Sequence, residues 1–532
     1  INYRCCHVLF LLLSFSVVSS SLKPPHIIFI LADDLGWGDV SFHGSSQIPT
    51  PNLDLLAADG ILLNNHYVQP YCTPSRAALL TGLYPIHTGM QEGPIRNAEP
   101  WGLPLKFKIM PQHFKELGYA VHMIGKWHLG FFEKEYTPLY RGFDSFYGFY
   151  TGSADYYDHT AGEDHRGLDF RDNEAPVFNE SGQYSTHLFT RRFNSVIQHH
   201  DKSKPLFLYL AHQSVHCALP GDFFQAPQEN IGKFSYIGEK NRTLYAGMVD
   251  ALDESIGSIV ESLSAAGMLN DTIIVFSSDN GGQPYGHMSN RGHNWPLRGG
   301  KGTLWEGGTR VPAFVWSTRL KRRARVSDQM MHITDWLPTL FSAAGGNISL
   351  LGESDGFDMW QALSEATASP RHEMLINIHP TDRTAALRYR NYKLVLGTSL
   401  DGQGDAHFKV PGGSRPTSDV GELRRRSAVS KVLRALYNTS DSPSFKSKNQ
   451  EIVDCGRDRW SNFVSGKSPY LFDVKRDPCE RINLAGINRR VLRFLMNKLS
   501  SYESLMVPSL EVPSDPRAFP ENHGGVWSPW VE

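Results

Sequence analysis

Four short apolar segments in the first two-thirds of the chain are each followed at once by polar side chains. Such segments are typical of buried β-strands, and the helical stretches between them predict an α/β domain built on a central sheet. The segments and the polar residues that follow them are 27–31 with Asp33 and Asp34, 120–124 with Lys126 and His128, 206–210 with His216, and 272–276 with Asp279 and Asn280. Because ligands of open α/β sheets bind outside the carboxyl ends of the strands, the sequence predicts one functional edge that gathers these side chains.

A second region with a different pattern follows at about residue 381. Three predicted strands and one predicted helix lie there, at residues 385–390, 392–396, 470–473 and 488–505. Residues 400–468 are rich in Gly, Ser, Asp and basic residues, which is typical of loops. We therefore expect a large α/β domain at residues 22–380 and a smaller α+β domain at residues 381–532.

The beginning of the chain reads as a secretory signal peptide. Arg4 supplies a positive charge, residues 8–18 are apolar, and residues 19–21 are small serines near a cleavage point. The chain starts at Ile1 rather than Met, so we expect the signal, residues 1–21, to be incomplete at its N-terminus. The apolar run is too short for a transmembrane helix and no later segment is long enough, so we expect no membrane span.

The cysteines and the glycosylation sequons also fit a protein of the secretory pathway. Cys455 and Cys479 are close in sequence and are candidates for a disulfide in an oxidising environment, which would leave Cys217 unpaired. Sequons for N-glycosylation lie at Asn179, Asn241, Asn270, Asn347 and Asn438. We expect a glycosylated protein of the secretory pathway, either lysosomal or extracellular.

The charge balance excludes one class of partner. The net charge is −1, which argues against nucleic acid as the main partner. Two local basic runs, residues 321–325 and 424–426, have two interpretations. A solvated surface or a protease-sensitive loop is the favoured one, and an anion-attracting patch for a polyanionic substrate is the alternative.

Cys72 lies in the run Tyr-Cys-Thr-Pro-Ser-Arg at residues 71–76, which Ala-Ala-Leu-Leu-Thr-Gly follows at residues 77–82. A lone cysteine at a helix start is by default a buried structural residue. This run, however, resembles the modification signature of the sulfatase family, in which a secretory-pathway enzyme oxidises the cysteine to formylglycine. Pro74 suits the first helical position and Gly82 a helix end, so Cys72 would lie at the positive end of a helix dipole, where a sulfate is favoured.

The resemblance covers nearly the whole mature chain. Residues 118–128 are similar to the family's second signature, and the runs most similar to the arylsulfatase B-like branch are residues 141–144, 294–299, 304–308 and 525–530. The resemblance implies that residues 22–380 form a catalytic, alkaline-phosphatase-like α/β domain with a mixed central sheet. It also implies a smaller C-terminal α+β domain with an antiparallel sheet.

The resemblance further implies a metal site beside a sulfate pocket. The implied metal ligands are Asp33, Asp34, Asp279 and Asn280 together with modified Cys72, and the implied pocket residues are Arg76, Lys126, His128, His216 and Lys301. Carboxylate and amide oxygens suit a hard cation, so we expect one Ca²⁺ per chain, with Mg²⁺ as the less favoured ion.

The implied reaction is covalent catalysis by the aldehyde hydrate at position 72. One hydroxyl, activated by the metal and Asp279, attacks sulfur and expels the alcohol. The second hydroxyl then loses its proton, with His128 as the candidate acceptor, and the hydrate collapses to the aldehyde and expels sulfate. A formylglycine-generating enzyme is therefore an expected partner during biosynthesis.

Cationic side chains are needed because a sulfate monoester is anionic and repels nucleophiles. By the resemblance, Arg76 and Lys126 would hold the hydrate, whereas Lys301 and His216 would bind the sulfate. His216 is in addition the candidate acid for the leaving oxygen.

Two positions depart from the family pattern. Leu83 stands where the signature usually ends in Arg, which bears on how efficiently Cys72 is converted. Residues 217–219, Cys-Ala-Leu, follow His216 where the branch usually has Glu-Pro-Leu, which bears on the specificity of the pocket rim.

The substrate stays open at this point. The branch implies 4-sulfated N-acetylgalactosamine of dermatan or chondroitin sulfate, and a small sulfate ester such as a glucosinolate is the first alternative. Trp127 and Trp305 could wall either a sugar or an aromatic group, or pack in the core. A phosphate or phosphonate esterase is disfavoured because its nucleophile is usually Ser or Thr. A pseudoenzyme that only binds sulfated glycans is disfavoured because it would need no nucleophile.

Overall fold

The computed structural model describes residues 23–219, 221–286, 288–413, 419–441, 453–455 and 460–532. The predicted signal peptide lies outside the described residues. The strands are β1 His26–Ala32, β2 Ile61–Leu63, β3 His66–Tyr67, β4 Ala120–Lys126, β5 Ser145–Phe149, β6 Thr160–Ala161, β7 Gly167–Leu168, β8 Arg171–Asp172, β9 Ala175–Pro176, β10 Leu206–Ala211, β11 Thr272–Ser278, β12 Ala313–Trp316, β13 Arg325–Ser327, β14 Met331–His332, β15 Glu373–His379, β16 Thr384–Tyr389, β17 Tyr392–Leu396 and β18 Tyr470–Asp473. The α-helices are α1 Pro51–Asp59, α2 Cys72–Thr81, α3 Pro85–Thr88, α4 Met110–Glu116, α5 Ser185–His199, α6 Gln228–Gly232, α7 Lys240–Ala265, α8 Glu306–Thr309, α9 Trp336–Ala343, α10 Trp360–Glu365, α11 Val420–Arg426, α12 Ala428–Tyr437 and α13 Arg489–Glu503.

The large domain is built on a mixed sheet of ten strands, in the order β13-β2-β12-β11-β1-β10-β4-β5-β8-β9. Its centre is parallel, because β1 pairs in parallel with β10 and β11, and β10 with β4. These four strands are the four apolar segments of the sequence analysis, and β1, β10 and β11 are buried along their whole length, as expected for strands covered on both faces. The predicted alkaline-phosphatase-like α/β fold with a mixed sheet is confirmed.

Helices pack around the sheet in two groups. One group joins α1, α5, α7 and α12, and the other joins α2, α4 and α9. Helix α2 is buried at every one of its residues, so it has no solvent-exposed face and lies in the interior, with its polar side chains bonded there. Among the described residues, no helix is long and apolar enough to cross a membrane.

The second sheet has four antiparallel strands, in the order β15-β16-β17-β18, and helix α13 packs against it. Its antiparallel character is confirmed. The predicted domain division at residue 381 falls in the turn between β15 and β16, so the sheet begins before that residue.

The prediction that residues 400–468 are loop-like was wrong for two helices, α11 and α12. Apolar residues at helical spacing explain the difference: Val429, Val432 and Leu433 are buried, and α12 packs on α1 and α7 of the large domain. The abundance of Gly, Ser and charge around them hid this short amphipathic stretch.

Cys455 and Cys479 form a disulfide with Cα atoms 5.6 Å apart, and Cys72 and Cys217 are buried free cysteines. Four sequon asparagines are exposed, namely Asn179, Asn270, Asn347 and Asn438, whereas Asn241 is half-buried in the first turn of α7. Glycosylation of these sites stays a prediction.

A buried cluster of charges joins the two sheets, and we call it the junction cluster: Glu306, Lys393, Glu480, Arg310 and Arg388. Lys393 of β17 lies 2.9 Å from Glu306 of α8 and 2.9 Å from Glu480, and all three side chains are fully buried. Burial and the neighbouring Glu306 raise the pKa of Glu480 to about 7, although Lys393 opposes the shift. The cluster therefore ties a helix of the large domain to the second sheet through buried charge.

Candidate active site

The carboxyl ends of β11, β1, β10 and β4 lie side by side, and backbone hydrogen bonds continue beyond them. The amide of Asp33 donates to the carbonyl of Ser214 at 2.9 Å, and the amide of Asp279 donates to that of Ala32 at 3.1 Å. The residues that follow the four strands thus meet at one edge, as the sequence predicted. All ten predicted metal and sulfate residues are less than a tenth exposed there: Asp33, Asp34, Cys72, Arg76, Lys126, His128, His216, Asp279, Asn280 and Lys301.

Three acids and three cations form the site cluster. Each carboxylate faces a cation directly. The pairs are Asp33 with Lys126 at 2.6 Å, Asp279 with Arg76 at 2.8 Å, and Asp34 with Lys301 at 2.8 Å. Since the formal charges of these six side chains cancel, a sulfate or a cation that enters must compete for partners that already exist.

Burial and neighbouring charge shift the pKa values of two of these acids in opposite directions. Burial would raise the pKa of Asp34, but Lys301 and His216 outweigh it and hold the pKa at about 2. For Asp279, burial and the nearby Asp33 carboxylate raise the pKa to about 6, although Arg76 opposes the shift. Pairs of carboxylates whose environments separate their pKa values are a feature of catalytic and metal sites.

Cys72 is the first residue of α2, and Gly82 ends the helix in the left-handed region at φ 70°. The helix thus begins two residues before Pro74, and Cys72 lies at its positive end, as predicted. The side chain is only 2% exposed, and burial raises the pKa of the thiol, although Lys126 and Lys301 oppose the shift. An unmodified Cys72 is therefore a protonated, weakly nucleophilic thiol.

The two histidines differ in the nitrogen that keeps a free lone pair. His128 Nε2 lies 2.9 Å from the carbonyl of Ile95, and a carbonyl can only accept, so Nε2 donates and Nδ1 is left as the acceptor. His128 Nδ1 has no hydrogen-bond partner among the described residues. Burial and the nearby Lys126 lower the pKa of His128 well below its usual value.

His216 shows the opposite tautomer. Its Nδ1 lies 2.7 Å from the carbonyl of Cys217 and donates to it, so Nε2, 3.7 Å from Asp34, keeps the lone pair. Burial and Lys301 lower the pKa of His216 to about 3. In this arrangement Nε2 accepts a proton or a metal ion more readily than it donates a proton, which weakens the candidate role of His216 as an acid.

The donor atoms fit a divalent cation. Asp33 Oδ1 and Asn280 Oδ1 are buried and have no hydrogen-bond partner among the described residues. Ligand atoms of Asp33, Asp34 and His216 lie within 4.8 Å of one another, and so do those of Asp33, Cys72 and Asp279. Hard cations prefer oxygen ligands, so the orphaned oxygens and the three carboxylates match Ca²⁺ or Mg²⁺. His216 is an addition to the ligand set that the sequence predicted.

A cavity of about 650 Å³ opens onto this edge. Its inner end is lined by Cys72, His128, His216 and Lys301. The outer wall includes Leu219, in the run that the sequence analysis had assigned to the pocket rim. It also includes residues not selected as site residues: Tyr71, Ile95, Arg96, Asn97, Ala98, Glu163, Asp164, His165, Gln283, Met288, Leu400, Ser514, Phe519 and Trp527.

Part of this wall is supplied by the last residues of the described chain. The ring of His165 stacks on Phe519 with centroids 3.4 Å apart, and Trp527 Nε1 donates to the carbonyl of Ala161 at 3.0 Å. Backbone hydrogen bonds between Leu168 and residues 525 and 527 fix the same contact. The chain therefore returns from the second sheet to complete the cavity.

Trp127 and Trp305 do not line the cavity, which corrects their proposed role as substrate walls. Trp127 is fully buried and its Nε1 donates to the carbonyl of Gly130 at 2.9 Å. Trp305 packs against Tyr470 in a core of the second sheet, and its Nε1 donates to Asp405 at 2.8 Å. Both indoles are satisfied in the interior. The aromatic side chains of the cavity are Tyr71, Phe519 and Trp527, of which the last lies in the run at residues 525–530 that the sequence had singled out.

Cys217, which departs from the family pattern, lies behind the cavity. Its Sγ is 3.6 Å from the carbonyl of Met288 and 3.8 Å from His216 Nδ1. Burial and the nearby Asp34 raise the pKa of the Cys217 thiol to about 12. The residue therefore acts as a neutral support for His216 and Met288, which do line the cavity.

Comparison with known proteins gives a consistent result. A family model described as Sulfatase matches residues 25–346. Arylsulfatase J of Mus musculus is 41% identical over 526 residues, which cover 97% of this chain and 81% of the relative. N-acetylgalactosamine-6-sulfatase of Mus musculus is 33% identical over 339 residues, which cover 61% of this chain and 63% of the relative.

Solved structures share the architecture along most of the chain. The crystal structure of Ps i-CgsB superposes with a TM-score of 0.72 at 27% identity, and the match covers 92% of this chain and 94% of the other. Its complex with k-i-k-neocarrahexaose superposes with a TM-score of 0.64 at 30% identity, and the match covers 80% and 94%. That protein binds its sugar chain on the same fold.

Proposed function

Because the chain belongs to the sulfatase family and is a sulfuric ester hydrolase, we propose that its substrate is a sulfated N-acetylgalactosamine at the end of a glycan chain. The observation that carries the proposal is the cavity, whose inner end gathers Cys72, His128, His216 and Lys301 beside the site cluster. A sulfate ester would enter with its charged group at this end. The volume of about 650 Å³ is in the range of small-ligand sites, which suits one terminal sugar.

The outer wall supports a sugar over a purely apolar substrate. Asn97, Glu163, Asp164, Gln283 and Ser514 offer hydrogen-bonding groups for hydroxyl or amide substituents. Phe519 and Trp527 add apolar surface on which a sugar ring could rest. A relative acts on N-acetylgalactosamine 6-sulfate by its name and a neighbouring structure holds a sugar chain, which favours a glycan for this chain as well.

Formylglycine at position 72 would supply an aldehyde whose hydrate carries the attacking hydroxyl. Around it, Arg76 and Lys126 would hold the residue through charge and hydrogen bonds, and Lys301 would bind a sulfate oxygen. His128, with its free Nδ1, would accept a proton. These roles are electrostatic positioning in a buried site, where each preorganised group has a large effect.

A calcium ion would be held by Asp33, Asp34, Asp279 and Asn280, which present hard oxygens. When bound, it supplies positive charge next to the sulfate and to residue 72. His216 Nε2 would complete the ligand set or bind the sulfate.

Conversion of Cys72 would require the formylglycine-generating enzyme and hence passage through the secretory pathway. The run at residues 71–76, the exposed sequons and the disulfide between Cys455 and Cys479 support a lysosomal or extracellular location.

The proposal is tested by purified protein acting on defined sulfate esters. We expect the highest kcat/KM for oligosaccharides that end in N-acetylgalactosamine 4-sulfate or 6-sulfate, with the 4-sulfate as the first candidate. The same sulfate at an internal position, a glucosinolate and an aryl phosphonate serve as controls. A higher kcat/KM for the glucosinolate, or for internal sulfates, would overturn the proposed substrate and leave the hydrolase assignment in place.

A further inference from the structure

The outer face of helix α13 carries arginines that pair with nothing among the described residues. Arg489, Arg490 and Arg493 are exposed, and no acidic side chain lies within 4.0 Å of their charged atoms in the described part of the chain. We call these three side chains the arginine face. It is a local concentration of positive charge on a protein whose net charge is −1.

The basic runs that the sequence analysis selected behave differently. Lys321 pairs with Glu365 at 2.7 Å, and Arg424 pairs with Asp54 at 2.6 Å. Arg425 pairs with Glu422 at 2.7 Å, and Arg426 pairs with the same carboxylate. Arg323 pairs with Asp59 at 2.7 Å, so five of the seven cations of the two runs have an acidic partner, whereas Arg322 and Arg325 have none within 4.0 Å among the described residues. Most of this charge is offset within the chain, which agrees with the solvated-surface interpretation. The arginine face has no such internal neutralisation.

Helical geometry aligns the arginine face into a strip. Arg489 and Arg493 are four residues apart, and so are Arg490 and Phe494, so each pair lies on one side of the helix. Lys498 continues the second row and lies 5.3 Å from the centre of the Tyr389 ring, with Phe494 packed edge-on against the same ring. Lys498 is paired with Glu373 at 2.5 Å, so the free positive charge of this strip comes from the three arginines.

Two of the arginines occupy a position that is unfavourable for the helix itself. Arg489 and Arg490 are the first two residues of α13, where the helix dipole is positive and disfavours cations. The dipole and the side chains add to one positive potential. An anionic ligand would relieve this repulsion, because nothing in the described chain does.

We propose that the arginine face binds a sulfated polysaccharide chain away from the cavity. This rests on the proposed function, since the polymer that it holds would carry the terminal sugar sulfate that the cavity cleaves. Sulfates repeated along a chain match arginines repeated along a helix, and guanidinium groups bind such oxyanions through paired hydrogen bonds. The attraction also raises the local concentration of a polyanionic substrate.

The surface and the cavity are separate. Leu495 and Leu499 of α13 pack in a core with Tyr84 and Ile86, which follow the end of α2, whereas Cys72 begins that helix. The ten residues of α2, about 15 Å of helix, therefore lie between Cys72 and the core on which α13 packs, and the arginine face lies on the outer side of α13 beyond that core. A polymer of several sugars can reach both, whereas a single sugar cannot.

A membrane surface fits the arginine face less well. Interfacial helices bury a broad apolar face in the lipid. The apolar side of α13 is already used, since Leu495 and Leu499 are buried against the second sheet. The exposed side of α13 carries three arginines and two large apolar side chains, Phe494 and Met496, which is less than the broad apolar face of an interfacial helix and favours a soluble polyanion as the partner.

The test is a charge-removal variant with a matched control. The variant Arg489→Gln/Arg490→Gln/Arg493→Gln removes the arginine face, and Lys321→Gln/Arg425→Gln/Arg426→Gln removes the same charge from exposed, paired positions. Glutamine keeps a helix propensity similar to that of arginine. On immobilised chondroitin sulfate with a salt gradient, we expect the wild type and the control to elute together and the arginine-face variant to elute at clearly lower salt.

Kinetics separate this surface from the cavity. With a small aryl sulfate, kcat/KM should be unchanged in both variants. With a sulfated polymer, KM should rise several-fold in the arginine-face variant alone, with kcat unchanged. The unfolding temperature of that variant should equal or slightly exceed that of the wild type, because two cations leave the helix start; a purely structural role predicts a fall instead.

Several outcomes would overturn the inference. These are co-elution of the arginine-face variant with the wild type, an equal shift in the control, or stronger retention on anionic phospholipid vesicles than on chondroitin sulfate. Column retention needs no turnover, so it also distinguishes the two proposals. Loss of retention in the arginine-face variant of a protein that cleaves no sugar sulfate would support this surface and defeat the proposed substrate.

Discussion

The site cluster and the junction cluster are both buried groups of charged side chains, and we expect them to have different roles. The site cluster pairs Asp33, Asp34 and Asp279 with Lys126, Lys301 and Arg76, and the junction cluster places Lys393 between Glu306 and Glu480. Both are almost free of solvent. The difference lies in what surrounds them.

The site cluster borders a cavity and keeps oxygens without partners. Lys301 lines the cavity, and Asp33 Oδ1 and Asn280 Oδ1 have no hydrogen-bond partner among the described residues. The junction cluster joins α8 to β17 through the fully buried Lys393, and its Arg310 and Arg388 line a different cavity, to which Cys72 does not contribute. A buried ion pair therefore says little by itself about stability or catalysis. The site cluster differs in bordering the cavity that Cys72 lines, so changes in the site cluster should alter turnover, whereas changes in the junction cluster should alter stability.

The largest effect should come from Cys72→Ala, which removes the nucleophile beside the site cluster. We expect kcat to fall on the order of 10⁴–10⁶-fold, with the unfolding temperature little changed. Cys217→Ala is the matched control, because it removes the other buried free thiol and should change kcat only a few-fold. Peptide mass spectrometry should find formylglycine at position 72, and finding only cysteine there in active protein would contradict the assignment.

Removal of the divalent cation should come next. Prolonged chelation should lower kcat on the order of 10³-fold or more, because the positive charge beside the sulfate is lost, and Ca²⁺ should restore it better than Mg²⁺. Metal content and activity are measured on the same samples. Full activity in a verified metal-free preparation would contradict the assignment of a catalytic divalent cation to the site cluster.

Lys301→Ala and His216→Ala should each lower kcat on the order of 10²–10³-fold, because each removes a preorganised group from the inner end of the cavity. A series of aryl sulfates with good and poor leaving groups separates their roles. Because His216 Nδ1 donates to the carbonyl of Cys217 and its pKa is about 3, we expect equal losses across the series. A clear rescue of His216→Ala by good leaving groups would assign it the role of the acid.

Lys393→Met tests the junction cluster, which we expect to affect stability rather than turnover. It leaves Glu306 and Glu480 buried without their common cation, which typically costs about 3–5 kcal/mol of unfolding free energy. The kcat of the folded fraction should stay the same. Denaturant unfolding and active-site-normalised kinetics measure the two quantities, and a loss of kcat without a loss of stability would erase the distinction between the clusters.

The smallest effect should be the pH dependence of stability that Glu480 contributes. Its pKa is raised from 4.5 to about 7 in the folded chain, so the folded state holds a proton that the unfolded state releases between these values. Its contribution to stability therefore falls as the pH rises from about 4.5 to 7. The wild type should lose a few degrees of unfolding temperature relative to Glu480→Gln over this window, and parallel curves for the two proteins would refute the shift.

The sequence predicted the site edge well and its outer wall poorly, for a physical reason. Asp33, Asp34 and Asp279 follow apolar strands directly and Lys126 is the last residue of one, so the rule for strand ends places them together. Lys301 follows no strand, and only the family resemblance selected it. The local pattern of apolar strands was enough to predict the residues at the strand ends, whereas Lys301 could be predicted only from the family resemblance.

The residues that were missed meet across long stretches of chain. Phe519 stacks on His165, and Trp527 donates a hydrogen bond to Ala161. Neither contact can be predicted from the spacing of neighbouring residues in the sequence. Trp127 and Trp305 were ambiguous because an aromatic residue next to a motif fits a core as well as a cavity. Only the positions of their indole nitrogens, bonded to Gly130 and Asp405, decide for the core.

Cys72 is buried beneath a wall to which residues near the end of the described chain contribute, and this limits when Cys72 can be modified. A side chain that is 2% exposed in the finished fold is out of reach of another protein's catalytic centre. Trp527 leaves the ribosome about 450 residues after Cys72, which at about 5–20 residues per second is on the order of 20–90 s. Any enzyme that oxidises Cys72 therefore has a limited time, which chain elongation and folding set. Sequence changes that make α2 fold into the core faster would shorten the time during which Cys72 is accessible.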